Sequence, residues 1–371
     1  MSAGQAGRIY WANAGAQAVS CANLDGSEAR DVLSTTAPPY GLTLDREEGL
    51  LWLWCTFPEP HCLHMMELEG RESDERRFGL EQGPLGIATL HTPEVTRVIW
   101  SCYFNDEGAI LYSEIGDPYP QMIAFGLEKL PGLMAFDPTG TLYGGCETGV
   151  FYWPARDPDE PTLATPGPVC GVAVDAGART IYWTSPTLGR IEKSKLAPAS
   201  FEPEILATPG ATVAKPSGIA VDAKGERVYW ANRKGGVKGA GTISWAKLDG
   251  SGGGDIEIAG ATLEEPNGIA LLLAPSVEAL PTISGGSIVG GRPLVCAPGS
   301  CAPDEPGGFV FRDASLAAFQ WLLEGMPIQG ATEPTCSPQQ AGYYSCAVTH
   351  TNAAGQTVAE PAQPHYVEKE G

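Results

Sequence analysis

Positive charge is scarce: 23 Lys and Arg stand against 44 Asp and Glu, a formal net charge of −21 over 371 residues. A chain that acidic repels phosphate backbones, and its longest basic features are the pairs Arg76-Arg77 and Arg233-Lys234. Nucleic acid is therefore excluded as a partner. Long apolar runs are missing too. Ile269 to Ala274 is the longest plausible core run, far short of the roughly 18 residues of a membrane span, so no membrane insertion is expected. The first seven residues, Met1 to Gly7, carry neither a basic nor an apolar leader region, so the sequence as written predicts synthesis in the cytoplasm. Three routes stay open from there: residence in the cytosol, a leader removed upstream, or exit by another path to an extracellular or particle surface.

What is abundant is turn chemistry. Gly at 47 and Pro at 32, with 43% hydrophobic residues, describe many short strands rather than disorder. Ten cysteines make an even count that hints at disulfides, but the chain is too long for a scaffold held by disulfides alone.

A segment centred on Ile9-Tyr10-Trp11-Ala12-Asn13 returns five times. The later copies are Leu51-Trp52-Leu53-Trp54-Cys55, Val98-Ile99-Trp100-Ser101-Cys102, Leu142-Tyr143-Gly144-Gly145-Cys146, Ile181-Tyr182-Trp183-Thr184-Ser185 and Val228-Tyr229-Trp230-Ala231-Asn232. A Pro-x-Gly-apolar-x-apolar-Asp motif precedes the later copies, best seen at Pro39 to Asp45 and Pro216 to Asp222, with degraded copies starting at Pro84, Pro131, Pro168 and Pro266. A third, alternating segment follows, such as Gly241 to Leu248, and a Leu-Asp-Gly turn closes it at Leu24-Asp25-Gly26 and Leu248-Asp249-Gly250. Six ordered copies at 38 to 50 residues predict radially repeated antiparallel sheets, a β-propeller. The Pro-x-Gly segment is the inner strand, where small residues let strands converge. The aromatic segment is the second strand, its rings filling space between sheets. Because the chain starts on a second strand and the repeats end on an inner one (Gly268 to Leu271), the last blade is expected to join C-terminal and N-terminal strands.

The Tyr-Trp cores at 10–11, 182–183 and 229–230, with their Leu-Asp-Gly turns and Pro-x-Gly-Ile-Ala-Val-Asp segment, resemble the YWTD repeats of low-density lipoprotein receptor class B. The resemblance spans roughly residues 7–273. It implies a six-bladed propeller used as a protein-interaction or scaffold module rather than an enzyme. In the second, third and fourth repeats, Cys55, Cys102 and Cys146 stand where the family has its aspartate.

After Leu273 the composition turns to Ala, Pro, Ser and Gly, which reads as a linker over 274–291. Residues 292–371 then carry Cys296, Trp321 25 residues on, and Cys346 after Gly-x-Tyr-x, the pattern of an immunoglobulin sandwich. This segment resembles a bacterial immunoglobulin-like domain. The resemblance implies a Cys296–Cys346 disulfide packed by Trp321, a tyrosine corner at Tyr344, and a domain that spaces or presents its neighbour. Gln340 stands where that family often has Asp.

Cys55, His61, Cys62 and His64 are the one metal-like cluster, with zinc-type ligands but no standard spacing. Hairpin thiols explain them better, and no metal or cofactor is expected. Cys55, Cys102 and Cys146 read as inert core thiols, and a bridge between Cys301 and Cys336 is conceivable. Cys21, Cys62 and Cys170 carry no assigned partner. An enzymatic rival is a cation-dependent lactonase-like hydrolase holding its metal at the channel mouth with carboxylate and amide oxygens. The residues topping the inner strands would be Tyr40, Leu85, Gly132, Val169, Ser217 and Asn267, with no carboxylate among them. Asp45, Asp137, Asp175 and Asp222 sit at the opposite strand ends, where turn capping accounts for them.

The expected fold is thus all-β: a six-bladed propeller over 1–273, then an immunoglobulin-like sandwich. The expected function is non-catalytic recognition of a protein or glycan. Tyr40, Phe57, Phe104, Arg233, Lys234 and Asn267 are the candidate binding residues on the propeller face, aromatic and Arg side chains being the usual hot spots. A structural or decoration subunit of a larger particle, such as a phage tail or injection apparatus, is the second expectation, and the hydrolase the third.

Overall fold

The computed structural model describes residues 6–35, 37–47, 50–57, 62–68, 75–79, 84–91, 96–104, 107–114, 120–127, 132–146, 148–154, 162–196, 201–236, 240–313, 316–361 and 363–369. Strands dominate, and no helix among them is long and apolar enough to cross a membrane. The chain divides into two compact units, one of residues 1–272 and 305–311, the other of 273–304 and 312–371.

Among the described residues the first unit holds six sheets, antiparallel except where Val310–Phe311 pairs in parallel with Pro266–Leu273. Five are built from consecutive strands, as in Pro216–Asp222, Arg227–Asn232, Thr242–Lys247 and Gly253–Asp255. The other places the last inner strand, Pro266–Leu273, beside the first strand of the chain, Gly7–Asn13, followed by Ala18–Asn23 and Arg30–Ser34. The expected joining of the two ends is therefore present in the sheet order. Trp11, Trp100, Trp183 and Trp230 are all nearly or fully buried, filling the space for which their recurrence in the sequence argued.

Inner strands approach one another through glycine. A Cβ added at Gly41, Gly132 or Gly171 would meet the carbonyl oxygen of Leu85, Cys170 or Ser217 at 2.5, 2.6 and 2.5 Å respectively. At Gly86 and Gly218 it would collide with the Gly132 and Asn267 carbonyls, and at Gly268 it would meet the Leu42 amide nitrogen at 2.6 Å. These contacts run from each inner strand to the next and return to the first. Hydroxyls tie the same points together. Thr184 Oγ1 accepts from the Gly171 amide at 2.9 Å and donates to the Ser217 carbonyl at 2.7 Å. Thr56 Oγ1 does likewise between the Gly41 amide and the Leu85 carbonyl, at 2.7 and 2.5 Å.

Strand register corrects one alignment. Cys55 pairs with Leu42 as Trp100 pairs with Ile87, Trp183 with Val172 and Trp230 with Ile219. Cys55 thus takes the tryptophan's place, not the aspartate's, and only Cys102 and Cys146 of the three share the latter register. The extra aromatic residues of Leu51-Trp52-Leu53-Trp54 had hidden the two-residue shift.

In the second unit, Met326–Pro327, Leu316–Leu323, Gly342–Asn352 and Gly355–Ala359 form one sheet, with His365–Val367 also paired to Gly342–Asn352. Thr282–Ser284, Leu294–Ala297 and Thr335–Cys336 form another. Leu294, Cys296, Trp321, Tyr344, Cys346, Val348 and Val367 make the core. The Trp321 indole donates to the Glu333 carbonyl at 2.9 Å, and the Tyr344 hydroxyl to the Gln340 carbonyl at 3.0 Å. The stretch expected to be a linker instead contains Val277–Ala279 and Thr282–Ser284. Its small residues pair as short strands, which composition alone did not distinguish from a spacer. Residues 305–311, expected in the C-terminal domain, belong to the first unit.

Candidate functional site

Three of the six candidate residues converge where the inner strands begin. Arg233, in the loop after Arg227–Asn232, donates from Nη2 to the Tyr40 hydroxyl at 2.9 Å, with its guanidinium carbon 5.5 Å from the centre of the Tyr40 ring. Asn267, fully buried on the inner strand Pro266–Leu273, lies within reach of the same hydroxyl. Neither amide atom of Asn267 reaches hydrogen-bonding geometry, and the Arg233 Nε is likewise buried without a hydrogen-bond partner. Lys234 is exposed beside Arg233. Phe57 and Phe104 end the strands Leu50–Phe57 and Thr96–Phe104, but their side chains lie outside the described residues.

Cys170 completes the cluster, and sequence reasoning missed it. Its amide donates to the Thr184 carbonyl at 3.1 Å, as the Tyr40 amide donates to the Thr56 carbonyl at 2.9 Å, so Cys170 and not Val169 is the counterpart of Tyr40. Pro168 stands one residue further from its glycine than Pro39 or Pro216 does, which displaced the alignment. Burial pushes the Cys170 thiol up, opposed by Arg233 and a hydrogen bond with Tyr40. Tyr40 is raised by burial and by Cys170, again against Arg233. For Arg233, burial works against the charge, but Cys170, Tyr40 and Glu265 outweigh it and raise its pKa. The guanidinium is therefore a permanent cation held beside two neutral acids.

The other candidates are structural where described. Asp137 accepts from the Thr139 and Thr141 amides at 2.9 and 3.0 Å, Asp175 from the Ala178 amide and Asp222 from the Gly225 amide, both at 2.9 Å. Asp45 is buried. Cys55 and His64 are register partners, as are Phe57 and Cys62, while His61 lies outside the described residues. No group of three or more His, Cys, Asp or Glu is placed to hold a metal among the described residues. Cys21, Cys55, Cys102, Cys146, Cys170, Cys301 and Cys336 are free thiols, and so are Cys296 and Cys346. The last two are in side-chain contact, so the expected pair meets in the core as thiols rather than as a disulfide. Burial pushes Cys102 up to about 11.

No protein-family model matches the chain, and no curated protein matches it. Among solved structures, it is similar to a crystal structure of a nidogen/laminin complex, with a TM-score of 0.55 and 16% identity over 71% of this chain and 98% of that one. It is also similar to the crystal structure of TolB from Acinetobacter baumannii, with a TM-score of 0.51 and 15% identity over 70% of this chain and 66% of that one. At such identities the likeness concerns the fold alone. The chain is an all-β protein with the β-propeller fold.

Proposed function

We propose that the six sheets are the blades of a six-bladed, YWTD-like propeller, that the second unit is an immunoglobulin-like sandwich, and that the protein is a non-catalytic recognition module. Its partner is a protein, bound where the inner strands begin. The observation that carries this reading is the buried, unsatisfied polarity of Arg233 and Asn267. Buried polar atoms without partners are costly and uncommon in folded proteins, and here they gather around one point with the Tyr40 hydroxyl. Arg233 Nε and Asn267 Nδ2 are unsatisfied donors, against one acceptor in Asn267 Oδ1. An acceptor-rich side chain, a carboxylate of the partner, complements that set once the loop of Arg233 and the exposed Lys234 moves aside, since Asn267 is fully buried in the free protein. The nidogen/laminin complex, a fold neighbour in which two proteins associate, supports a protein partner.

Selection from a displayed random-peptide library on the whole chain tests the reading. Enrichment of Asp- and Glu-containing peptides is expected, with binding weakened about tenfold or more by Arg233→Ala and by Asn267→Ala, as befits hydrogen bonds to a charged group. Peptides that bind both variants as tightly as the parent protein would remove this site from the interface.

A further inference from the structure

We infer that residues 305–311 are an axial strap: they close the base of the propeller and lock the sheet in which its first and last strands meet. The turn Pro306–Gly308 touches the inner strands Pro84–His91, Met134–Phe136, Val172–Asp175 and Pro216–Asp222. Val310–Phe311 pairs in parallel with the next inner strand, Leu271 opposite Val310 and Leu272 opposite Phe311. Seven residues that touch inner strands from five sheets must sit on the axis around which those sheets are arranged. They do so at the end opposite Tyr40 and Asn267, because their contacts fall on Phe136, Val174, Val221 and Leu271, late in each strand.

The fit is specific. A Cβ on Gly308 would lie 2.7 Å from the Val221 carbonyl oxygen, and one on Gly307 would collide with that of Phe136. Phe309 follows with a φ of 56°, the left-handed region that a bulky residue adopts only when its surroundings impose it. The imposing force is burial: Phe309 is 2% exposed, and Val310 and Phe311 are fully buried. The Leu271 amide donates to the Phe309 carbonyl at 2.8 Å, so one donor of the ring-closing sheet is satisfied by the strap. The strap holds its own shape through the Glu305 amide to the Val310 carbonyl at 2.7 Å and the Gly308 amide to the Glu305 carbonyl at 2.9 Å.

This segment follows the ring's last strand only after residues 273–304, which belong to the second unit. The propeller is therefore not complete where its last repeat ends. Release of the strap and loosening of Pro266–Leu273 are one event.

Hydrogen exchange of the full chain, resolved at single amides, tests this. In the parent protein the Leu271, Gly308 and Val310 amides are expected to exchange through a common opening, with free energies of opening that agree. Gly307→Val is expected to speed all three by about tenfold or more while amides of the Val172–Asp175 sheet and of the second unit keep their rates. Phe309→Ala, which leaves the backbone intact and removes only the buried ring, is expected to act in the same direction. Strap amides that exchange about tenfold faster than Leu271 in the parent protein would overturn the inference. So would a Leu271 amide that stays protected in either variant while the strap exchanges freely.

Discussion

Asp31 and Thr262, 231 residues apart, are joined twice: Asp31 Oδ1 accepts from the Thr262 amide at 2.9 Å and Oδ2 from its hydroxyl at 2.7 Å. Ser20 donates to the same carboxylate at 2.6 Å, and the Trp11 indole donates to the Thr262 carbonyl at 2.8 Å. The arrangement recurs one sheet away. There Asp255 accepts from Thr212 at 2.9 and 2.6 Å and from Ser244 at 2.6 Å, and the Trp230 indole donates to the Thr212 carbonyl at 2.9 Å. Asn13 and Asn232, each two residues after the tryptophan of its repeat, donate to the serine at 2.8 Å. The repeat is thus a repeated clasp, and in the Asp31 copy the clasp joins the two ends of the first unit's sequence.

Asp31→Asn tests that clasp. Burial raises the Asp31 pKa, but the hydrogen bonds from Ser20 and Thr262 outweigh it and hold the carboxyl below its ordinary range. A depressed folded pKa contributes stability that is present above the unfolded value near 3.9 and is lost as pH falls through the folded value. The variant is expected to be less stable by about 1 kcal/mol at neutral pH, the exposed carboxylate being partly screened. Denaturant melts should show that difference shrink as pH falls below about 4 and vanish once pH passes the lowered folded value; a difference that persists in stronger acid would contradict the charge-assisted clasp.

Thr184→Val keeps the volume of the side chain and removes the bridge between the Gly171 amide and the Ser217 carbonyl. Both backbone groups lose a buried partner, for an expected cost of about 2–4 kcal/mol in urea unfolding. Thr184→Ser, which restores the hydroxyl, is expected to recover most of it.

Gly86→Ala would drive a methyl group into the Gly132 carbonyl. Unfolding measurements should register a loss of about 3 kcal/mol or more, since the obstacle is backbone and cannot turn aside. Gly177→Ala, where the nearest atom is a carboxylate oxygen at 3.5 Å, is the expected near-neutral control.

Cys296 and Cys346 are poised to be joined. Burial and the neighbouring Cys296 push the Cys346 thiol up to about 12, so its thiolate is scarce at neutral pH. Alkylation of the native protein should therefore be slow and should speed up with rising pH. Oxidation would close a loop of about 50 residues and raise stability by about 4 kcal/mol in the chain-entropy account. Melting the protein before and after oxidation, beside Cys296→Ser as the control, checks this; equal midpoints would show that the thiol pair is the relaxed state of this core.

Much of the candidate site is legible in the amino-acid sequence. Tyr40 and Asn267 stand out because each lies just before the glycine of an inner-strand motif, and Arg233 because it follows Tyr229-Trp230-Ala231-Asn232. Their meeting is not legible. Tyr40 and Arg233 are 193 residues apart, and no local pattern says which loops of a ring lean together. Cys170 is hidden by a single extra residue after Pro168, and Cys55 is displaced by two positions among the aromatic residues before it. In both cases, inter-strand pairing sets the register and the spacing of prolines or aromatics does not.

The all-β character, the recurrence of one strand order, and the pairing of the chain's first strand with its last repeat all follow from sequence. They rest on local periodicity and turn chemistry, which each short segment carries independently. Other features exist only once the chain is folded: which carbonyl each axial glycine must avoid, which polar side chains remain unsatisfied, and that residues 305–311 leave their neighbours in sequence to lie beneath the inner strands. These depend on contacts across the ring, where the apolar area of Phe309 and Phe311 outweighs the cost of a left-handed residue and a long excursion of the chain.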